Sequence, residues 1–192
     1  MTDADGEYGF SEIPLAERAL AAQRLDKLTA SEADVIHAYT CNAHDAINKT
    51  LWGQIEMTPA NARRIRLIRS GLAKYPLPTA VRVTREAEAA EFGIVDEESA
   101  YSLIDDEFIH HGFLSTSGSA DPPHSYARVN PVILDLIVAA GVPALRLGDL
   151  AEEPAEREVL VIDARTLFVV GVGWDGARSM WRIRAIVRGG ER

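Results

Sequence analysis

The chain has 192 residues, enough for one domain with a full core and too few for two independent ones. Apolar residues make up 47% and charged residues 26%, which excludes disorder as the main state. Against 29 Asp and Glu stand 20 Lys and Arg, a net charge of −9, so no global basic field gathers nucleic acid and general nucleic-acid binding is not expected.

Cys41 is the only cysteine, so no disulfide framework and no cysteine zinc site is expected, and it reads as a small buried apolar residue. The histidines (His37, His44, His110, His111, His124) lack metal-ligand spacing, which leaves them surface or capping roles and predicts no metal. Met1 to Phe10 is acidic and polar, and no run of about 18 uncharged apolar residues occurs. A chain without a secretion signal or membrane span is expected, cytoplasmic unless it is delivered into a target cell by a route that needs no cleaved peptide.

The elements follow in chain order. Leu15, Ala19, Ala22, Leu25 and Leu28 recur at helical spacing and predict an amphipathic helix over Ile13 to Leu28. Ser31 followed by Asp34 resembles a capping box, and Ile36, Tyr39, Ala43, Ile47 and Leu51 mark one face of a second helix from about Glu32 to Trp52. Thr58-Pro59 starts a third, to about Lys74, with Arg63, Arg64, Arg66 and Arg69 on its outer side. From Pro76 the period changes to short β-branched runs: Ala80 to Arg85, Gly112 to Ser117, Val132 to Val138, Ala144 to Leu147, Glu156 to Ile162, Thr166 to Trp174 and Ser179 to Val187. Glu97 to Asp106 reads as a short helix, and Asp175 to Arg178 as the turn of a hairpin. Trp52, Trp174 and Trp181 read as core or interface residues. Helices first and strands after, without βαβ alternation, predict an α+β domain over 1–192, with a helical lobe at 1–75 and a β-rich part at 76–192.

Three of these runs carry chemistry. Val81-Arg82-Val83-Thr84-Arg85 ends a strand on an arginine, Phe113-Leu114-Ser115-Thr116-Ser117 offers hydroxyls, and Glu156-Arg157-Glu158 supplies two carboxylates. Alternation along a strand puts Glu156 and Glu158 on one face with Arg157 opposite, and likewise separates Arg82 from Arg85. An arginine fork suits a diphosphate, and a carboxylate suits a developing cation. Two polar loops, Gly118 to Pro131 and Leu147 to Ala155, flank these strands and suggest substrate contacts.

The order and context of these segments resemble the Arg-Ser-Glu class of mono-ADP-ribosyltransferases. The likeness extends to Tyr39-Thr40…Ile47-Asn48 and to the proline-led strand Leu77-Pro78…Arg85, and covers most of Ser31 to Val187. It implies a core of two small, roughly perpendicular β-sheets with an N-terminal helical lobe and NAD in the cleft. It implies that Arg85 contacts NAD phosphate or the adjoining ribose, that Ser115 positions Glu158, that Thr116 and Ser117 support the cofactor site, and that Glu158 stabilises the ribosyl cation. Because the first glutamate of Glu-X-Glu accompanies transfer to arginine in that family, Glu156 implies a target protein bearing an acceptor arginine. The rivals are NAD glycohydrolysis, with water as acceptor, and an inactive relative that only binds. The loop after Ser117 resembles the family's cofactor-covering loop, in which Tyr126 and Arg128 are candidates for nicotinamide or phosphate contact. In many relatives glycine follows the strand arginine; here Glu86 does.

Overall fold

The structure, a computed structural model, describes residues 9–188. Most of the polar leader read over the first ten residues therefore lies outside the described residues. The α+β arrangement expected from the sequence is the one that forms, with helices leading and strands following.

The first helix is shorter than its periodicity suggested. Only α1, Ala16–Ala19, is helical. The reason lies in where the backbone finds partners: Leu15 bridges Arg82 on the first strand, and Arg82 N donates to Pro14 O at 2.9 Å. Further on, the Gln23 side chain bonds Ala144 O at 3.1 Å and accepts from Arg146 N at 2.7 Å. Tied to the sheet at Leu15 and again at Gln23, the segment keeps one helical turn between those points and does not continue the helix beyond them.

The second helix begins two residues earlier than read. Thr29 caps α2 (Ala30–Ala38) in a reciprocal box with Glu32, in place of Ser31 with Asp34. A π-helical turn, Tyr39–Ala43, then joins it to α3, His44–Leu51. The expected apolar face holds, with Ile36, Tyr39, Ala43 and Ile47 buried. Thr58 accepts from Asn61 N at 3.1 Å and opens α4, Pro59–Leu72, as its Thr-Pro start signal predicts. Its outer arginines are exposed, and Arg69 also forms a two-pronged ion pair with buried Asp163.

Among the described residues eight strands form: β1 Val81–Glu88, β2 Glu107–His110, β3 Leu114–Ser117, β4 Pro131–Val138, β5 Ala144–Arg146, β6 Glu158–Val161, β7 Arg165–Asp175 and β8 Met180–Arg188. Their order is β2-β7-β8-β4-β1-β3-β6-β5. One residue pair, Thr84↔Ser117, joins β1 to β3, so the ladder divides there into a five-stranded and a three-stranded half. β4 and β8 run parallel and the other pairs antiparallel. The β7–β8 hairpin forms as expected, with Asp175 Oδ1 accepting from Ala177 N and Arg178 N. β2 was not anticipated: a four-residue edge strand behind Asp105-Asp106 shows little apolar alternation. The helix expected over Glu97 to Asp106 closes early, as α5, Glu97–Tyr101.

Two hydrophobic clusters form the core. In one, Leu77, Val81, Val83, Leu134, Leu136, Val169 and Ile183 pack with Leu114, Val159 and Val161 of the smaller half. In the other, Ile36, Tyr39, Ile47, Ile68, Leu72, Phe113, Leu145 and Leu160 pack the helices against the smaller half. The candidate site residues gather where the two halves part.

Candidate active site at the junction of the two sheet halves

The register of β1 separates its arginines. Arg82 bonds the fully buried Asp135 through Nε and Nη2, both at 2.6 Å, and belongs to the sheet. Arg85 lies on the other strand face, lines the cleft, and donates from Nη1 to Ser115 O at 3.1 Å. Burial, reinforced by Arg128, pulls the Arg85 pKa below its ordinary value, while Glu91, Tyr39 and Glu158 oppose the shift.

Three consecutive residues of β3 each bond a neighbour near the Glu-X-Glu segment. Ser115 Oγ donates to Glu158 Oε1 at 2.6 Å, Thr116 Oγ1 to Val159 O at 2.7 Å, and Ser117 Oγ to Glu156 O at 2.8 Å. Ser115 and Glu158 therefore meet as expected, and Thr116 and Ser117 hold the backbone that carries the carboxylates.

Glu156 and Glu158 line the same cleft, by a different route from the one alternation suggested. The strand begins only at Glu158, and Glu156 ends a 3₁₀ turn, Pro154–Glu156. Between them Arg157 takes a left-handed conformation, φ 56°, which turns Glu156 back toward the site. Such a conformation costs a non-glycine residue roughly 1 kcal/mol or more. Gly118 N bonding to Arg157 O at 2.9 Å, and Arg157 Nη1 bonding to Glu17 at 2.8 Å, hold it there.

Burial raises the Glu158 pKa above the usual carboxylate range and Glu156 adds to the rise. The Ser115 bond, His44 and Arg85 act against it.

The helical lobe supplies a second wall that sequence reasoning placed only by resemblance. Asn48 Oδ1 accepts from Phe113 N at 3.0 Å, and Asn48 Nδ2 donates to the Tyr39 hydroxyl at 2.9 Å. Burial pushes the Tyr39 pKa up to about 12, so the hydroxyl stays protonated. Gly112 is required beside this bond, because a Cβ there would lie 2.8 Å from Asn48 Oδ1. Tyr39, Thr40, His44 and Asn48 line a cavity of about 260 Å³ that shares Arg85, Ser115, Glu156 and Glu158 with a second of about 210 Å³ under the 122–128 loop. A third depression, about 580 Å³, meets them at Arg85 and is lined by Trp52, Phe92, Phe108 and His110.

Several side chains depart from their expected settings. His110 is half-buried instead of a surface group, and burial, with Arg85 nearby, lowers its pKa to about 4. Cys41 is partly exposed beside His37. Trp52 and Trp174, 43% and 56% exposed, lie outside the core, which leaves the interface half of their reading. Tyr126 is 94% exposed and does not line the cleft, whereas Arg128 does. Glu86 is buried and takes bonds from His124 and Ser125. No group of three or more His, Cys, Asp or Glu suited to a metal is found among the described residues, and no described helix is long and apolar enough to cross a membrane.

Comparison with solved structures returns the same architecture. Plx2a, an ADP-ribosyltransferase toxin from Paenibacillus larvae, superposes with a TM-score of 0.75 at 24% identity, covering 92% of this chain and 98% of that one. The S. aureus protein C3stau2, solved with NAD, gives 0.75 at 17% identity over 95% of both chains. An ADP-ribosyltransferase from Clostridium botulinum gives 0.72 at 16% identity over 90% of this chain and 94% of that one. A search of curated protein sequences returns no match. The family model described as ADP-ribosyltransferase exoenzyme matches residues 17–172, across the cleft, its three strand motifs and most of the helical lobe, and the chain belongs to that family.

Proposed function

We propose that the chain transfers the ADP-ribosyl group of NAD to the guanidinium of an arginine on a target protein. NAD-dependent mono-ADP-ribosylation is the activity of the family; the arginine acceptor is the finer reading. The observation that carries it is the convergence of Arg85, Ser115, Glu156 and Glu158 on one cleft.

The residues fit the dinucleotide. Arg85 and Arg128 both line the cleft and offer two guanidinium groups to a diphosphate. The depression beyond Arg85, with the rings of Trp52, Phe92 and Phe108 among its lining, suits the adenine end, which leaves the nicotinamide riboside beside Ser115 and Glu158. Thr116 and Ser117 act through the backbone they hold.

The chemistry follows from the charges. The bond from ribose C1′ to the nicotinamide nitrogen breaks with its electron pair going to nicotinamide, which leaves neutral, and the ribosyl centre becomes an oxocarbenium ion. Glu158, ionised and accepting a ribose hydroxyl, stabilises that cation from a buried position where charge is weakly screened. A guanidinium nitrogen then bonds to C1′ and its proton passes to Glu156. With an unperturbed pKa above roughly 12, an arginine is a poor nucleophile until a carboxylate orients it and accepts that proton.

The reading separates the carboxylates by experiment. Glu156→Gln is expected to suppress modification of arginine, measured with agmatine or protein acceptors, while acceptor-free NAD hydrolysis stays within a few-fold of wild type. Equal loss of both activities would mean that the two carboxylates act as a unit on NAD. Undiminished transfer to arginine would remove Glu156 from the acceptor step.

A further inference from the structure

Glu86 occupies the position after the cleft arginine. By strand alternation it shares a face of β1 with Arg82 and Thr84, opposite Arg85. Its side chain is 3% exposed, and both carboxylate oxygens are engaged from outside the strand. His124 Nδ1 lies 2.7 Å from Oε2, and Ser125 N donates to Oε1 at 3.0 Å. Two cations complete the shell: Arg128 Nε at 3.7 Å and, from the β7–β8 turn, Arg178 Nη2 at 3.6 Å. Neither of those two nitrogens has a hydrogen-bond partner.

The loop concerned is the one over the smaller cavity, where Pro122, Pro123, His124, Ser125 and Arg128 form the roof. Its start is tied down separately, by Thr84 Oγ1 bonding to Ser119 O at 2.9 Å. The roof has Glu86 as its anchor on β1. A buried carboxylate is costly unless donors surround it, and here those donors are the loop itself, so the loop's lowest-energy place is set by the charge beneath it.

We propose that Glu86 is a positioning residue for dinucleotide binding: through His124 and Ser125 it holds the 118–131 loop where Arg128 faces the cleft. This rests on the reading of the cleft as an NAD site. Glu86 is two-sided in its consequence, since it also offsets the charge of Arg128 and Arg178, and the two effects predict opposite changes. Loss of an anchor weakens NAD binding; loss of a competing anion strengthens it. The close bonds go to His124 and Ser125 while both arginines stay beyond hydrogen-bond length, so anchoring dominates.

The test uses the full chain as wild type, Glu86→Ala, Glu86→Gln and His124→Ala, with two readouts. In acceptor-free NAD hydrolysis, Glu86→Ala is expected to raise KM for NAD about tenfold with kcat within about threefold, the equivalent of losing one to two hydrogen bonds from uniform binding. Glu86→Gln keeps an oxygen for Ser125 N and falls nearer to wild type, and His124→Ala falls between the two. Limited trypsin digestion without NAD gives the second readout: cleavage after Arg128 speeds up in Glu86→Ala and His124→Ala. An unchanged or lower KM in Glu86→Ala, or unchanged cleavage, overturns the proposal. Should Glu86→Ala not fold, the same two criteria apply to His124→Ala against Glu86→Gln. Wild-type protein that neither binds nor consumes NAD defeats the functional reading and with it the claim about binding, whereas altered cleavage would still register the loop anchor by itself.

Discussion

Removing the Ser115 hydroxyl isolates the contact that tunes the central carboxylate. Ser115 Oγ donates to Glu158 Oε1 at 2.6 Å, short enough for a charge-assisted bond. Such a bond to an ionised acceptor contributes about 1.5 to 3 kcal/mol. Its loss therefore shifts the titration of Glu158. The direction is fixed by the surroundings. The bond lowers a pKa that burial and Glu156 raise, so in Ser115→Ala only His44 and Arg85 still oppose the rise. The acid limb of kcat/KM for acceptor-free NAD hydrolysis, which reports the free enzyme, is expected above the usual carboxylate range in wild type and at higher pH still in Ser115→Ala. The variant's loss is therefore largest on the acid side and shrinks toward alkaline pH. A fluorescent NAD analogue followed from about pH 4 to 9 reads both limbs. A limb that stays in place, or moves to lower pH, would mean that Ser115 does not act through the ionisation of Glu158.

Two further outcomes follow from ion pairs away from that bond. Arg85→Lys keeps a charge but not the planar fork, and is expected to weaken NAD binding by about tenfold in calorimetry, whereas Arg82→Lys leaves affinity unchanged and lowers stability to denaturant by about 1 to 3 kcal/mol, because buried Asp135 loses the two-pronged Arg82 bond and keeps that from Arg182; the reverse ranking would assign the cofactor role to Arg82. Burial alone would raise the Glu32 pKa, yet bonds from Lys74, Thr29 and Ser70 outweigh it and hold it at about 2. A pKa depressed by folding gives stability that is present above the ordinary carboxylate value of about 4.5 and is lost as pH falls toward 2, so Glu32→Gln should flatten the acid side of the stability curve between those values; an unchanged curve would contradict the pairing.

The strand motifs were legible because each is local: β-branched residues around Arg85, hydroxyls after Phe113 and carboxylates before Val159 can be read without tertiary knowledge. What distance decides was hidden. Nothing in Ile13 to Leu28 shows that Leu15 will pair with Arg82 or that Gln23 will bond β5, and those contacts overrode a helical pattern. Alternation gave the right neighbours for the wrong reason at Glu156, since a left-handed arginine has no signature in sequence. Asn48 was named by resemblance, but its two-way bond with Phe113 and Tyr39, and the missing Cβ at Gly112 that permits it, emerge only when the helical lobe meets β3. Glu86 drew notice as a departure, and its burial under His124 and Ser125 could not be read from its neighbours along the chain.

The central claim is a transfer to arginine that depends on Glu158, and one measurement addresses it: fragmentation mass spectrometry of proteins from a host-cell extract incubated with NAD and either wild type or Glu158→Gln. The account predicts ADP-ribose on arginine side chains with wild type, and adduct formation lowered about 10² to 10³-fold with Glu158→Gln, the usual effect of one preorganised electrostatic contact on a cationic transition state. Adducts on another residue type would contradict the arginine reading, and adducts formed equally well by Glu158→Gln would contradict the mechanism.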